Sequence, residues 1–212
     1  MGAWYQSSYQ LSQFIAKTLF GFRVVHRERI IEDGPAILAM NHQSYLDPPL
    51  AGIACRREIH YLARKTLMDW PILGRLFPKL NVIPVDQIRA DMSALKSVIK
   101  LIRAGHCTVI FPEGARTLDG QLQPAQPGLG LVIAKTLAPV VPMRIFGAYE
   151  AFPRGGKPRP FRPITLVVGE PIRFHADDLA GESGRALYQR LSERVMERIA
   201  AIEYERRPPA RR

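Results

Sequence analysis

A chain of 212 residues, 47% of them hydrophobic, can bury a sizeable core, which excludes a disordered chain and a disulfide-dependent scaffold and fits one domain with at most a small appendage. Thirty Lys and Arg against 19 Asp and Glu leave a net charge of +11, so a partner with negative charge is expected: nucleic acid, an anionic membrane surface or a phosphorylated substrate. Cys55 and Cys107 lack paired or metal-type spacing and sit among apolar residues, which predicts buried free thiols in a reducing compartment.

The first segment, Trp4 to Phe22, places Leu11, Phe14, Ile15, Thr18, Leu19 and Phe22 at helical steps of three and four. That stripe either packs on the core or lies in a membrane interface, with Trp4, Tyr5 and Tyr9 as an aromatic belt. The segment lacks the basic start and continuous apolar run of a secretory signal, and Gln6 stands where N-myristoylation wants Ser or Thr. Nowhere does an apolar run approach the ~20 residues that span a bilayer, so any membrane role is expected at its surface.

Strands and helices then alternate. Phe22 to Ile31 reads as a strand, Asp33-Gly34 as a turn and Ala36 to Met40 as a buried strand. Asn41 to Leu46 is polar and loop-like. Asp47-Pro48-Pro49 starts a helix, with Asp47 able to cap it, that runs to about Arg57. Ile59 to Ala63 is a strand, Asp69-Trp70-Pro71 opens a short helix ending near Phe77, and Val82 to Val85 is a strand despite Pro84, which suits an edge or a strand end. Ala94, Leu95, Val98, Ile99, Leu101 and Ile102 mark an amphipathic helix closed by Gly105. Thr108 to Phe111 is a strand, Pro112 to Pro127 a long loop of the kind that carries function, Gly128 to Leu137 a helix and Val140 to Phe146 a strand. Pro153 to Pro163 is a basic loop with Arg154, Lys157, Arg159 and Arg162. Ile164 to Val168 is a strand and Ala186 to Glu205 a helix with Leu187, Leu191, Val195, Ile199 and Ile202 in register. The tail from 206 reads as basic and disordered. The pattern predicts an α/β fold: a single mixed, largely parallel sheet flanked by helices, with an N-terminal amphipathic helix. Its divisions are residues 1–22, 23–205 and 206–212.

Two stretches carry chemistry. Asn41-His42-Gln43-Ser44-Tyr45-Leu46-Asp47 leaves a buried strand and enters a helix, where α/β proteins place their sites. A carboxylate on one imidazole nitrogen fixes the tautomer and frees the other nitrogen to accept a proton. The bland alternatives are a polar loop histidine and an ordinary N-cap. The second stretch, Phe111-Pro112-Glu113-Gly114-Ala115-Arg116-Thr117, also follows a buried strand. Gly114 permits close backbone approach, Arg116 offers a planar fork for phosphate, and Glu113 suits a hydroxyl or an ion pair with Arg116. Otherwise it is a solvated surface turn. There is no G-x-S-x-G, P-loop, H-E-x-x-H or C-x-x-C; Gly128-Leu129-Gly130 is a weak dinucleotide signal.

The two stretches together resemble the glycerolipid acyltransferases, the family typified by 1-acylglycerol-3-phosphate (lysophosphatidic acid) acyltransferase. Its N-H-x-x-x-x-D motif is met by Asn41, His42 and Asp47, and its F-P-E-G-x-R motif by Phe111, Pro112, Glu113, Gly114 and Arg116, in the same order and separation. A weaker apolar motif ending in Val-Pro is met by Val140, Val141 and Pro142. The resemblance covers about residues 22 to 175. It implies an O-acyltransferase in which His42 is general base on the acceptor hydroxyl, oriented by Asp47, with no acyl-enzyme. Arg116 would hold the acceptor phosphate, and Glu113 and Gly114 would shape its glycerol pocket. The donor would be acyl-CoA or acyl carrier protein as co-substrate, with no cofactor and no metal. The family's second motif ends in Asp-Arg, whereas here Val85-Asp86-Gln87 carries no charge at the last position. Arg89, Lys79 or Arg75 are the candidate substitutes. The departure leaves the head group open: lysophosphatidic acid, another lysolipid such as lyso-ornithine lipid, or glycerol 3-phosphate.

The charge then suits an anionic membrane at its cytoplasmic face, bound peripherally or monotopically, and an anionic acyl donor. Outside the enzyme class stand a non-catalytic lipid-binding protein, and a nucleic-acid binder suggested by charge alone. The basic residues are spread along the chain without a recognition motif, so no nucleic acid is expected.

Overall fold

The structure is a computed structural model that describes residues 2–85 and 92–204. Helix α1 (Ala3–Phe20) leads to β1 (Arg23–Val25), β2 (Ala36–Met40), α2 (Asp47–Ala54), β3 (Tyr61–Arg64), α3 (Pro71–Leu76) and β4 (Val82–Val85). Then follow α4 (Met92–Arg103), β5 (Cys107–Ile110), α5 (Gly128–Thr136), β6 (Val140–Phe146), the single turn α6 (Ala148–Ala151), β7 (Thr165–Val168) and α7 (Gly184–Ala200).

Five strands form one sheet in the order β1-β7-β6-β2-β5, parallel throughout except for the antiparallel β6–β7 pair. The parallel pair β3–β4 continues it, because His60 donates its N–H to Cys107 and accepts that of Val109 on β5. Central β2 is buried at all five positions, and its alternation divides the core. Leu38 and Met40 meet the layer of α1 and α2, while Ile37 and Ala39 meet that of α4, α5 and α7. Both ends of β2 therefore open between two helical layers, and its C-terminal end leads directly into Asn41 and His42.

The fold class is the expected one, and the boundaries differ for local reasons. β1 stops at Val25 rather than Ile31, because His26 is left-handed (φ 56°) and a 3-10 turn, Arg27–Arg29, follows. Helix α1 ends at Phe20, where Gly21 turns left-handed. Helix α2 ends at Ala54, with Cys55 extended, and α7 at Ala200. Gly130, half of the weak dinucleotide signal, serves packing. A Cβ there would stand 1.8 Å from the Tyr188 carbonyl oxygen of α7, and its N–H donates to Ser192 Oγ at 2.8 Å. Both cysteines are buried and free, as expected.

The first helix corrects its own periodicity. Leu11, Phe14, Ile15 and Leu19 are exposed, while Tyr5, Ala16 and Phe20 are buried, so a second, narrower stripe seats α1 against α2. Tyr9 Oη donates to the Ile53 carbonyl and Tyr5 Oη accepts the Ile59 N–H. The wide apolar stripe faces outward. Among the described residues no helix is long and apolar enough to cross a membrane. The basic tail from 206 lies outside the described residues.

Candidate active site

Asn41 anchors the turn that leaves β2. Its side-chain amide donates to the Ile145 carbonyl (3.3 Å) and accepts the Ile145 N–H (2.8 Å), clamping the turn to β6. The chain then wraps around one carboxylate oxygen. Asp47 Oδ2 accepts from His42 Nδ1 at 2.8 Å, from the Gln43 N–H at 2.6 Å and from the Ser44 N–H at 2.7 Å. Asp47 is wholly buried. It does not cap the helix as its sequence position suggests: Leu46 holds that place, and the carboxylate folds back over the preceding turn. Oδ2 accepts from two backbone N–H groups and lies against the imidazole, so Nδ1 carries the proton toward Asp47 and Nε2 keeps its lone pair. The ring stacks on Phe111 with centroids 3.9 Å apart and planes 16° from parallel, which fixes its rotation. Ser44 Oγ ties the far side of the turn by donating to the Phe152 carbonyl at 2.7 Å.

The second stretch lies against the first. Glu113 Oε1 accepts the His42 N–H at 3.4 Å, and the Thr117 N–H donates to the His42 carbonyl at 2.9 Å. Gly114 is left-handed (φ 72°), as a tight turn back toward Phe111 requires. Arg116 lays its guanidinium over the Tyr45 ring at 3.5 Å from the centroid. Glu113 is buried, so it is not part of a solvated surface turn. Its Oε2 and Asp47 Oδ1 are both buried with no hydrogen-bond partner among the described residues.

Burial pushes the Glu113 carboxyl up to about 8, the hydrogen bonds from His42 and Gln123 oppose this, and the Asp47 charge adds to it. Folding therefore holds a proton on Glu113 from its ordinary range near 4.5 up to about 8, while the unfolded chain releases it. Stability should fall as pH rises through that window and level off above it. Glu113→Gln should remove this slope and unfold at higher denaturant than the parent at pH 8, while the two match more closely near pH 5. Urea midpoints across pH check it, and parallel profiles for the two proteins would contradict it.

An apolar cavity of about 680 Å³ opens at His42, Tyr45 and Arg116 and runs between α1, α2 and β3. Ile53, Leu62, Leu67, Phe77, Leu80 and Val82 give it aliphatic and aromatic walls. Gly52 makes part of this space: a Cβ there would stand 1.9 Å from Tyr61 Oη. Tyr61 Oη in turn pairs with Tyr5 Oη at 3.2 Å.

His42, Gly114 and Arg116 thus line one cavity mouth, with Asp47 and Glu113 buried behind it against His42. Arg89 and Gln87 lie outside the described residues. Lys79 places its ammonium over the Trp4 ring at 4.1 Å, at the start of α1. Sequence reading missed Tyr45, Phe111 and Phe152 as supports. Tyr45 and Phe111, aromatic residues inside the two motifs, were the available signal, whereas Phe152 is distant in sequence and had none.

The comparisons agree with one another. The Acyltransferase family model matches residues 21–146, more than half the chain. A 1-acyl-sn-glycerol-3-phosphate acyltransferase of Bacillus subtilis is 28% identical over 187 residues, 86% of this chain and 88% of that protein. The chloroplastic LPAT1 enzyme of the same name from Arabidopsis thaliana is 30% identical over 71% of this chain, which spans only 43% of the plant protein. The crystal structure of the 1-acyl-sn-glycerophosphate acyltransferase PlsC from Thermotoga maritima superposes with a TM-score of 0.72 at 25% identity, covering 95% of this chain and 81% of that one.

Proposed function

The chain belongs to the acyltransferase family, and on that premise we propose that it transfers an acyl group from an acyl thioester, acyl-CoA or acyl carrier protein, to the free hydroxyl of 1-acyl-glycerol-3-phosphate, giving phosphatidic acid. The observation that carries this reading is the His42 Nδ1–Asp47 Oδ2 contact of 2.8 Å at the mouth of an apolar cavity of about 680 Å³. That volume lies in the ~300–1,000 Å³ range of ligand pockets. The names of the relatives support the acceptor.

The acceptor hydroxyl gives its proton to His42 Nε2 while its oxygen attacks the thioester carbonyl carbon. The resulting imidazolium is held by the buried Asp47 carboxylate. The tetrahedral adduct collapses, the C–S bond breaks and the thiolate leaves. A thiol pKa near ~8.5 makes that departure easy without a strong general acid. No covalent intermediate on the protein is needed. The cavity takes apolar chain and excludes water, Arg116 meets the acceptor phosphate, and Glu113 and Gly114 border the glycerol. The exposed apolar stripe of α1 lies beside Ser8 and Ser12, which line the cavity, so a membrane-dissolved acceptor reaches the mouth from the lipid side. Residues 1–22 as an interfacial helix on the cytoplasmic membrane face, 23–205 as the catalytic domain and 206–212 as a basic tail belong to the same proposal.

Gln87, where the resemblance expects arginine, favours a second reading that keeps the reaction and changes the acceptor to lyso-ornithine lipid, another lysophospholipid or glycerol 3-phosphate. Thiol release from palmitoyl-CoA, followed with each acceptor in turn and then with acyl carrier protein as donor, decides between them. Release that depends on lysophosphatidic acid is expected. Release with a different acceptor alone would move the assignment, and none with any donor or acceptor would end the enzyme reading.

A further inference from the structure

Phe161 is the most exposed large hydrophobic residue among the described residues, at 77%, and it is left-handed with φ 63°. For a bulky side chain that conformation is costly and persists only where neighbours impose it. Here the constraint is visible. The Phe161 N–H donates to the Leu19 carbonyl at 2.6 Å, and the Ile164 N–H to the Phe20 carbonyl at 2.9 Å. The strained residue is thus pinned to the end of α1, beside Leu19, with its ring in solvent. Leu19 continues the exposed stripe of Leu11 and Ile15, one and two turns back on the same face.

The loop that carries Phe161 is exposed from Arg154 through Pro163. It holds Arg154, Lys157, Arg159 and Arg162, and no acidic residue occurs between Phe152 and Glu170. Its other end is fixed at the catalytic turn, where Ser44 Oγ donates to the Phe152 carbonyl and the Phe152 ring tilts against Tyr45 at 4.9 Å. The loop therefore links the end of α1 to the His42 turn.

We propose that loop 153–163 is a second membrane contact, in which the four cations bind anionic lipid head groups and Phe161 inserts beside the apolar stripe of α1, so that the cavity mouth is held at the interface. A free phosphate or a nucleic acid would use the cations, but neither accounts for an aromatic ring held outward at a backbone cost next to an exposed apolar stripe. The inference goes beyond acyl transfer and does not depend on which acceptor is used.

Co-sedimentation of the full chain with vesicles, without substrate, tests it. The vesicles are phosphatidylcholine alone or phosphatidylcholine mixed with phosphatidylglycerol. Phe161→Gly removes the ring and suits the left-handed backbone, so its thermal stability should match or exceed the parent's. Its partitioning should fall about tenfold on both vesicle types. Changing the four cations to Gln should weaken binding to the anionic vesicles roughly a thousandfold and to the neutral ones hardly at all. Binding of the anionic vesicles by either variant equal to the parent's would overturn the proposal. So would a four-Gln variant that lost affinity for an oligonucleotide but kept it for vesicles. Phe161→Cys offers a positive readout. Cys55 and Cys107 are buried, and burial raises both thiols, Cys107 to about 12, so an environment-sensitive label goes to position 161. A blue shift on adding anionic vesicles is expected; an unchanged spectrum would contradict insertion. Turnover of short-chain soluble substrates should be unaffected in all three variants, so this idea and the acyl-transfer reading fail separately.

Discussion

Replacing His42 by alanine is expected to lower kcat by about 10²–10⁴ while leaving the fold intact. The imidazole is 16% exposed at the cavity mouth, stacked on one face by Phe111 and held at Nδ1 by a buried carboxylate. It makes no other side-chain contact whose loss would unravel the turn, because the turn is held by the Gln43 and Ser44 backbone donors to Asp47 and by the Asn41 clamp. Asp47→Asn keeps an oxygen at the Oδ2 position for those backbone donors and for Nδ1, but it carries no charge and puts its NH2 at the buried Oδ1 position. The tautomer is kept, and what is lost is the negative charge that stabilises the imidazolium formed as the hydroxyl proton arrives. The loss in kcat should come within about tenfold of that in His42→Ala, and the double variant should be little worse than either single one, because the two groups act as a unit. Single-turnover thiol release measures this, with thermal unfolding alongside. Full turnover in folded His42→Ala would remove the general-base role. Additive losses in the double variant would show that Asp47 acts by another route.

The His42–Asp47 contact was legible because six residues between a buried strand and a helix leave a short chain little choice but to fold back. The direction of the Asp47 carboxylate was not legible, because a helix-initial Asp serves equally well as a cap. What decides is that two backbone N–H groups and the imidazole converge on one oxygen. β2 and β6 are legible to the residue, since runs buried on both faces need no partner to be recognised. In α1, periodicity tells which residues share a face but not which face meets the core. Tyr5, Tyr9, Ala16 and Phe20 form a poorer stripe by hydropathy, yet the two tyrosine hydroxyls bond the Ile53 carbonyl of α2 and the Ile59 N–H beyond it, and Ala16 and Phe20 are buried. The cavity was out of reach for a different reason. Its walls come from α1, α2, β3 and the turns before β4, segments whose meeting depends on the parallel crossovers rather than on local sequence.

Arg116→Ala is expected to raise the KM for a phosphate-bearing acceptor by about a hundredfold, with donor KM and the kcat at saturation little changed. Held over the Tyr45 ring with its Cζ 3.5 Å from the centroid, the guanidinium lines the cavity mouth, and its planar fork of N–H donors suits two phosphate oxygens at once. Two charge-assisted hydrogen bonds at about 1.5 kcal/mol each, the lower end for charged groups, amount to about 3 kcal/mol, or roughly two powers of ten. Lysine should recover only part of this, since an ammonium neither stacks nor forks, and Tyr45→Ala should fall between because it frees the guanidinium without removing it. The comparison that isolates the phosphate is an acceptor lacking it, such as monoacylglycerol: there Arg116→Ala should make no more than a small difference. An equal loss with both acceptors would mean that Arg116 supports the loop rather than the ligand. A rise in donor KM instead would place Arg116 on the phosphates of coenzyme A, and the acceptor head group would then have to be met by another cation.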